Sequence, residues 1–78
     1  MSYNFNVVIN TKNFEVGVDE EAQYGYFEHN ELGDECGGGL WFSGKTLRDY
    51  DGVCGLPREV EKALKDAGFD MSEVEDDD

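Results

Sequence analysis

The sequence predicts an α+β domain: an antiparallel sheet of about five strands, including two hairpins, followed by one C-terminal helix packed on it. Three observations predict this fold. Apolar and polar residues alternate through the first half, turn-forming residues separate the alternating segments, and one helical stripe lies near the C-terminal end. The 78 residues suffice for one small domain. We expect it to span residues 1–70, with residues 71–78 forming an acidic, flexible tail.

The first two predicted strands form a hairpin. Residues 3–9 and residues 14–18 each alternate between apolar and polar side chains, which is typical of a strand with one buried face. Residues 10–13 contain two asparagines, which tolerate the backbone conformations of tight turns. The side chains that we expect to face the core are Tyr3, Phe5, Val7, Ile9, Phe14, Val16 and Val18.

Three further strands complete the predicted sheet. Residues 23–29 are aromatic and strand-like, and they are followed by a polar, glycine-rich loop over residues 30–38. Residues 40–42 and 46–50 form two short strands on either side of a Ser-Gly-Lys turn. The Asp-Gly pair at 51–52 ends the sheet.

One helix follows the sheet. Pro57 suits the first turn of a helix, and Gly68 suits the position just after its last turn. Phe69 is then placed to fold back against the helix. The apolar stripe that we expect to face the sheet consists of Val60, Ala63, Leu64 and Ala67.

The dominant feature of the composition is negative charge. Nineteen Asp and Glu residues face six Lys and Arg residues, for a formal net charge of −13. A magnitude of about 2–8 is enough to keep a small domain soluble, and further like charge destabilises the compact state by self-repulsion. The excess indicates either salt adaptation and solubility alone, or a field that a basic partner uses. It disfavours direct binding to nucleic acid or to anionic membranes.

The chain carries no signal that would direct it to a membrane or out of the cell. It has no apolar stretch of the ~18 residues that a membrane span needs, and its N-terminus lacks the basic and apolar regions of a secretory signal. We therefore expect a cytoplasmic protein in which Cys36 and Cys54 are reduced thiols. A disulfide between them stays open as an alternative. A monomer is favoured over a dimer.

Two matches to ligand-binding loops fail on chemistry. Residues 39–46 match the phosphate-binding pattern G-x-x-x-x-G-K-[ST], but that loop must open a helix, whereas strand and turn are predicted after it. A calcium loop with Gly52 in its sixth position places Leu47 first and Arg58 twelfth, where carboxylates are required.

Metal and nucleophile chemistry are not supported either. His29, Cys36 and Cys54 lack the paired spacing of zinc ligands, and the single histidine would have to serve any nucleophile as its base. We expect a protein with no enzymatic activity, no cofactor and no metal site.

The acids remain as the candidate functional residues. Residues 14–43 contain eight Asp or Glu and no Lys or Arg. On a strand, side chains on one face repeat every ~6.6 Å, which resembles the spacing of successive DNA phosphates. The predicted partner-binding residues are Glu20, Glu21, Glu28, Glu31, Asp34, Glu35, Asp49 and Asp51. The competing interpretation is a solvated acidic loop without a partner.

Three aromatic residues lie close to these acids in sequence. We expect Tyr24, Tyr26 and Trp41 to belong to the core. The alternative is that one of them faces a partner as an anchor, since tyrosine and tryptophan are favoured at interface hot spots.

Four segments, at residues 24–29, 37–42, 47–53 and 56–64, carry a family resemblance. They resemble small acidic phage proteins, specifically the anti-CRISPR proteins that block type I surveillance complexes, with type I-C as the favoured subtype. The resemblance implies a phage protein that acts in the bacterial cytoplasm. It also implies binding to the positively charged DNA channel, or to the large subunit that recognises the PAM. It assigns no role to any single residue.

Charge and resemblance together predict a DNA-mimicking inhibitor that blocks target DNA binding by a CRISPR effector. The alternatives are mimicry aimed at another basic host protein, such as a restriction enzyme, and a small phage structural domain whose charge serves solubility only.

Overall fold

The computed structural model of this chain describes residues 4–74. Its five strands are β1 (Val7–Asn10), β2 (Phe14–Asp19), β3 (Tyr24–His29), β4 (Gly33–Ser43) and β5 (Thr46–Gly52), and its helix is α1 (Arg58–Asp66). The strands form one sheet in the order β1-β2-β3-β4-β5, and each pairs antiparallel with the next. The predicted fold class, five antiparallel strands followed by one C-terminal helix, is confirmed.

The first hairpin has the predicted inward residues from Val7 onward, but the prediction for Phe5 is wrong, because its ring packs against Tyr26 on the other face of the sheet at 4.7 Å. Val7 pairs with Val18 and Ile9 with Val16, so the apolar positions of both strands lie on one face. Val16 and Val18 are fully buried, whereas Val8, on the opposite face, is 53% exposed. Tyr3 lies outside the described residues.

The predicted loop over residues 30–38 is wrong, because β4 already begins at Gly33 and runs for 11 residues. Its glycines have no side chains that could alternate between apolar and polar, so the sequence pattern could not predict a strand there. They are nevertheless needed in the sheet. A Cβ atom on Gly38 would lie 1.8 Å from the carbonyl oxygen of Asp51, and one on Gly37 would lie 2.8 Å from that of Phe27. Only glycine permits so close an approach of neighbouring strands.

Helix α1 packs on the face of the sheet that carries the apolar alternation. Pro57 immediately precedes it, and Gly68 follows it with φ 98°. The amides of Gly68 and Phe69 donate to the carbonyls of Lys65 and Leu64 at 3.0 Å each, which is a Schellman C-cap. The core shared by sheet and helix consists of Phe14, Val16, Val18, Phe27, Leu40, Phe42, Leu47, Val60, Leu64, Phe69 and Met71.

A carboxylate fastens the helix to the first hairpin turn. Glu59 accepts hydrogen bonds from the Thr11 hydroxyl and from the backbone amide (2.8 Å) and side-chain amide (2.9 Å) of Asn13. These bonds, that of Thr11 foremost, lower the pKa of Glu59. The first turn of α1 is therefore tied to a segment 46 residues earlier in the chain.

The packed domain extends past the predicted boundary at residue 70. Asp70 forms a parallel bridge with Thr46, and its backbone exchanges hydrogen bonds with Lys45 (2.7 Å) and Leu47 (2.9 Å). Met71 is only 1% exposed, and Val74 packs against the core. The boundary moves at least to Val74, because the sheet edge and core recruit this segment. The rest of the predicted tail, residues 75–78, lies outside the described residues.

Candidate functional site

The face of the sheet opposite α1, which we call the open face, holds three of the eight predicted partner-binding residues. Cross-strand pairing arranges its side chains in three rows. One row is Asp19, Tyr24, Trp41 and Asp49. The next row is Val8, Gly17, Tyr26, Gly39 and Asp51. The third row contains Glu15 and Glu28. Neighbours within a row lie on strands about 4.8 Å apart.

Aromatic rings form the centre of the open face. The Tyr24 and Trp41 rings meet edge to face at 5.7 Å, and Phe5 meets Tyr26 at 4.7 Å. Glycines make room for these rings: a Cβ atom on Gly17 would lie 2.2 Å from the Tyr26 ring. The rings therefore pack against backbone positions where glycine has no side chain.

The expectation that Tyr24, Tyr26 and Trp41 belong to the core is wrong. Alternation along β3 turns Gly25 and Phe27 towards the helix, and this places both tyrosines, half-buried, on the open face. Trp41 is 42% exposed on the same face. An exposed indole beside two tyrosines is the type of surface that forms interface hot spots.

A hydrogen bond fixes one carboxylate at the edge of these rings. The Tyr26 hydroxyl donates to Glu15 Oε2 at 2.6 Å. This bond, followed by burial and by the charges of Glu15 and Glu28, raises the pKa of Tyr26 to about 12. Glu28 pairs directly with Glu15 across β2 and β3, where like charges are destabilising.

A second acidic pair lies on β5. Asp49 and Asp51 are exposed, belong to the open face, and are two residues apart, which corresponds to about 6.6 Å along a strand. Of the predicted partner-binding residues, the open face therefore brings together Glu28, Asp49 and Asp51.

Within the described part of the chain, no Lys or Arg belongs to the rows of the open face. Lys12 and Lys45 lie in turns. Arg48 lies in β5 at the register shift next to Asp49, has no cross-strand partner there, and pairs with Glu73 at 3.6 Å. The remaining bases are on or at the start of α1, namely Arg58, Lys62 and Lys65. Among residues 4–74, the rows of the open face therefore contain acids and no base, whereas the helix side carries both signs.

The predicted acids Glu20 and Glu21 lie at one end of the sheet, in the turn between β2 and β3. Lys45 donates to Glu20 at 2.6 Å, and Asn6 donates to it at 2.9 Å. Lys45 first and then Asn6 lower the pKa of Glu20. Glu20 is therefore committed to a contact within the chain, while Glu21 is exposed.

Asp19 organises the same turn. Its carboxylate accepts the backbone amides of Asn4 (2.8 Å), Glu21 (3.0 Å) and Ala22 (3.0 Å). These bonds, with Ala22 the strongest contributor, lower the pKa of Asp19. Asp19 is buried, so it shapes the end of the open face rather than adding an exposed carboxylate.

The predicted acids Glu31, Asp34 and Glu35 lie at the other end of the sheet, around the turn between β3 and β4. A strand of the length of β3 spans about 20 Å, so the two end groups cannot act as one row. His29 organises this second turn by accepting the amides of Glu31 and Leu32 at 3.1 Å each. The eight predicted residues thus form three groups.

Sequence reasoning left Glu15 and Trp41 out of the predicted site. Glu15 lies between two inward residues, Phe14 and Val16, and this alternation could have placed it on the outer face. For Trp41 no such signal existed, because its neighbours Leu40 and Phe42 are also apolar and the glycines before them in β4 have no side chains to alternate.

The structure does not provide the geometry that the phosphate-binding and metal-binding motifs require. Residues 39–46 form the β4–β5 hairpin rather than a strand followed by a helix, so the match to a phosphate-binding pattern lacks the required structure. Among residues 4–74, no group of three or more His, Cys, Asp or Glu side chains is placed to hold a metal ion. In the same range, no helix is long and apolar enough to cross a membrane.

Comparison of the chain with protein-family models, with curated proteins and with solved structures finds no match in any of the three.

Proposed function

We propose that this chain is a DNA-mimicking inhibitor that occupies the DNA site of a basic nucleic-acid-binding protein. The first target that we propose is a type I CRISPR surveillance complex, bound through its large, PAM-recognising subunit in the cytoplasm of a phage-infected bacterium. The observation that carries the proposal is the open face, where Glu15, Glu28, Asp49 and Asp51 surround aromatic rings without a compensating base.

The separations on this face support mimicry of a duplex. Glu15 and Glu28 lie on β2 and β3, while Asp49 and Asp51 lie on β5. Two to three strand spacings, about 10–14 Å, separate the two acidic pairs across the sheet, and one to two rows, about 7–13 Å, separate them along the strands. The nearest acids of the two pairs, Glu28 and Asp51, are therefore about 12 Å apart. The major groove between two phosphate rows is about 12 Å wide. A cationic surface that binds the two phosphate rows of DNA could therefore contact both acidic pairs at once.

The aromatic centre supplies what charge alone does not. Charge complementarity chiefly raises association rates and selects partners, whereas a small desolvated contact holds the complex. Trp41, exposed on the open face directly opposite Asp49, is placed to make that contact.

A DNA competition experiment tests the proposal. The purified chain is titrated against a type I surveillance complex and a labelled target duplex, and we expect loss of DNA binding. The inhibition should weaken with salt, with a shallower slope than that of DNA, whose higher charge density condenses more counterions. Unimpaired DNA binding at saturating protein would remove this target.

A pair of matched variants tests whether the open face is the contact surface. The test variant is Glu15→Gln, Glu28→Gln, Asp49→Asn and Asp51→Asn. The control removes the same number of charges elsewhere, at acids that are not among the predicted partner-binding residues, through Glu61→Gln, Asp66→Asn, Asp70→Asn and Glu73→Gln. We expect inhibition to weaken by about tenfold or more in the test variant, which is about 1.4 kcal/mol, and much less in the control. Equal weakening would indicate bulk charge rather than a site.

Capture from a host lysate separates the target classes. A CRISPR subunit as the leading basic partner supports the first target, and a restriction enzyme or another DNA-binding protein supports mimicry of a different site. If no basic protein is captured and no DNA binding is blocked, the charge serves solubility only.

A further inference from the structure

The structure brings together two cysteines that are 18 residues apart in sequence. Cys36 lies in β4 and Cys54 follows the end of β5, and their sulfur atoms are 2.7 Å apart. A disulfide bond is about 2.05 Å long. The sulfurs thus need to approach by only about 0.7 Å to be bonded.

Backbone hydrogen bonds on both sides hold the two segments in place. Gly38 pairs with Gly52 in the β4–β5 ladder, and the Val53 amide donates to the Gly37 carbonyl at 3.3 Å. Beyond β5, the Gly55 amide turns back to the Gly52 carbonyl at 3.1 Å. The proximity of the sulfurs therefore follows from the sheet register rather than from two mobile loops.

We propose that Cys36 and Cys54 form a reversible intramolecular disulfide that fastens the beginning of β4 to the turn after β5. The proposal does not depend on the proposed function. The oxidant is a small disulfide such as oxidised glutathione, which is reduced to two thiols while the protein loses two hydrogen atoms and gains one S–S bond.

The two thiols have different roles in this exchange. Cys54 is exposed and Cys36 is half-buried against the core, so the oxidant reaches Cys54 first. The Cys54 thiolate attacks the small disulfide and releases one thiol. The Cys36 thiolate then attacks the Cys54 sulfur and releases the second.

The pKa of Cys36 controls the rate of the second step, in which its thiolate attacks the Cys54 sulfur. The hydrogen bond with Cys54, then burial and the charges of Cys54 and Glu35, raises the pKa of Cys36. Because the thiolate is the nucleophile, ring closure accelerates as the pH rises.

The experiment uses the full chain, first reduced and then equilibrated with oxidised glutathione. We expect titratable thiols to fall from two to none, the intact mass to fall by two hydrogen atoms, and the chain to stay monomeric on a non-reducing gel. Closing the 18-residue loop between the cysteines should raise the Tm by about 13–25 °C, and a phosphine reductant should reverse every change.

The variant Cys54→Ser is the control, since its substitution is at an exposed position. Its Tm should not rise on oxidation. Two free thiols in the oxidised wild-type chain, glutathione adducts on both cysteines, covalent dimers, or complete bonding with an unchanged Tm would each overturn the proposal.

Discussion

Replacing Gly38 with alanine, beside the same change at Gly39, tests the strand register on which the open face depends. The two residues are neighbours in β4 but face opposite sides of the sheet. A Cβ atom on Gly38 would lie 1.8 Å from the Asp51 carbonyl oxygen and 2.7 Å from the Gly52 Cα. On Gly39 the nearest atom would be a Trp41 ring carbon at 3.0 Å.

The expected magnitudes differ because one obstacle is backbone and the other is a side chain. To bring the Gly38 contact to even 3.0 Å, β4 and β5 must separate by about 1.2 Å, which disrupts their ladder. Overpacking of this kind costs about 3 kcal/mol, a large part of the ~4–12 kcal/mol expected for 78 residues. At Gly39 the Trp41 ring can shift to make room for the new methyl group. Alanine also lowers the conformational entropy of the unfolded chain, which stabilises the fold by about 0.4–1 kcal/mol. The net change in the free energy of unfolding should therefore stay within about 1 kcal/mol.

Urea unfolding followed by circular dichroism measures both variants. We expect a much lower midpoint for Gly38→Ala, a nearly unchanged midpoint for Gly39→Ala, and similar m-values. If the two midpoints fall equally, or if Gly39→Ala is the less stable variant, the β4–β5 register and the faces derived from it are wrong.

Three further predictions concern single contacts and the net charge. A titration of tyrosinate absorbance should show one group, Tyr26, ionising near pH 12, and Glu15→Gln should lower that pKa. Since the folded pKa lies above the unfolded value of about 10, the contribution of Tyr26 to stability is present below pH 10 and lost as the pH rises to 12. Glu59→Gln should lower the Tm more than Glu61→Gln in the same helical turn, because Glu59 alone of the two holds the Thr11–Asn13 turn; equal losses would indicate a helix-dipole effect only. Added salt should raise the Tm, as it screens self-repulsion, and a Tm that falls would contradict the role assigned to the net charge.

Much of the fold was predictable because side-chain alternation carries the information for it. The alternation of Phe14, Val16 and Val18 predicted a half-buried strand, and Gly68 with Phe69 predicted the end of the helix. The start of β4 was not predictable in this way. Its glycines have no side chains to alternate, and the close approach that requires them exists only once β3 and β5 lie on either side.

The site was less predictable than the fold, because proximity along the chain misleads in a meander. Glu20 and Glu31 are close in sequence but lie at opposite ends of β3. Glu28 and Asp51 are far apart in sequence, yet both belong to the open face. Only register and strand order decide this, and neither is encoded in the spacing of the acids.

The like-charged pair on the open face lowers the stability of the fold, which indicates that these carboxylates have a role other than stabilising it. On the helix side the chain pairs opposite charges, as Lys62 does with Asp66 at 3.3 Å. On the open face it sets Glu28 directly opposite Glu15, where a complementary pair would stabilise and a like pair destabilises by a few tenths of a kcal/mol.

Glu28→Gln should therefore stabilise the fold by about 0.5 kcal/mol, which is a rise in Tm of a few degrees, while weakening the proposed inhibition of DNA binding. Glu21→Gln removes the same charge from an exposed turn outside the open face and should give a smaller rise in Tm. Because the proposed contact surface is the open face alone, this variant should keep its inhibition, even though the sequence predicts Glu21 among the partner-binding residues. Opposite effects on stability and inhibition are expected when a protein maintains a repulsive pair for a partner. If Glu28→Gln lowers the Tm, the two carboxylates are not in the repulsive relation that the register assigns them. If the Tm rises but inhibition is unchanged, the pair is not part of the contact surface.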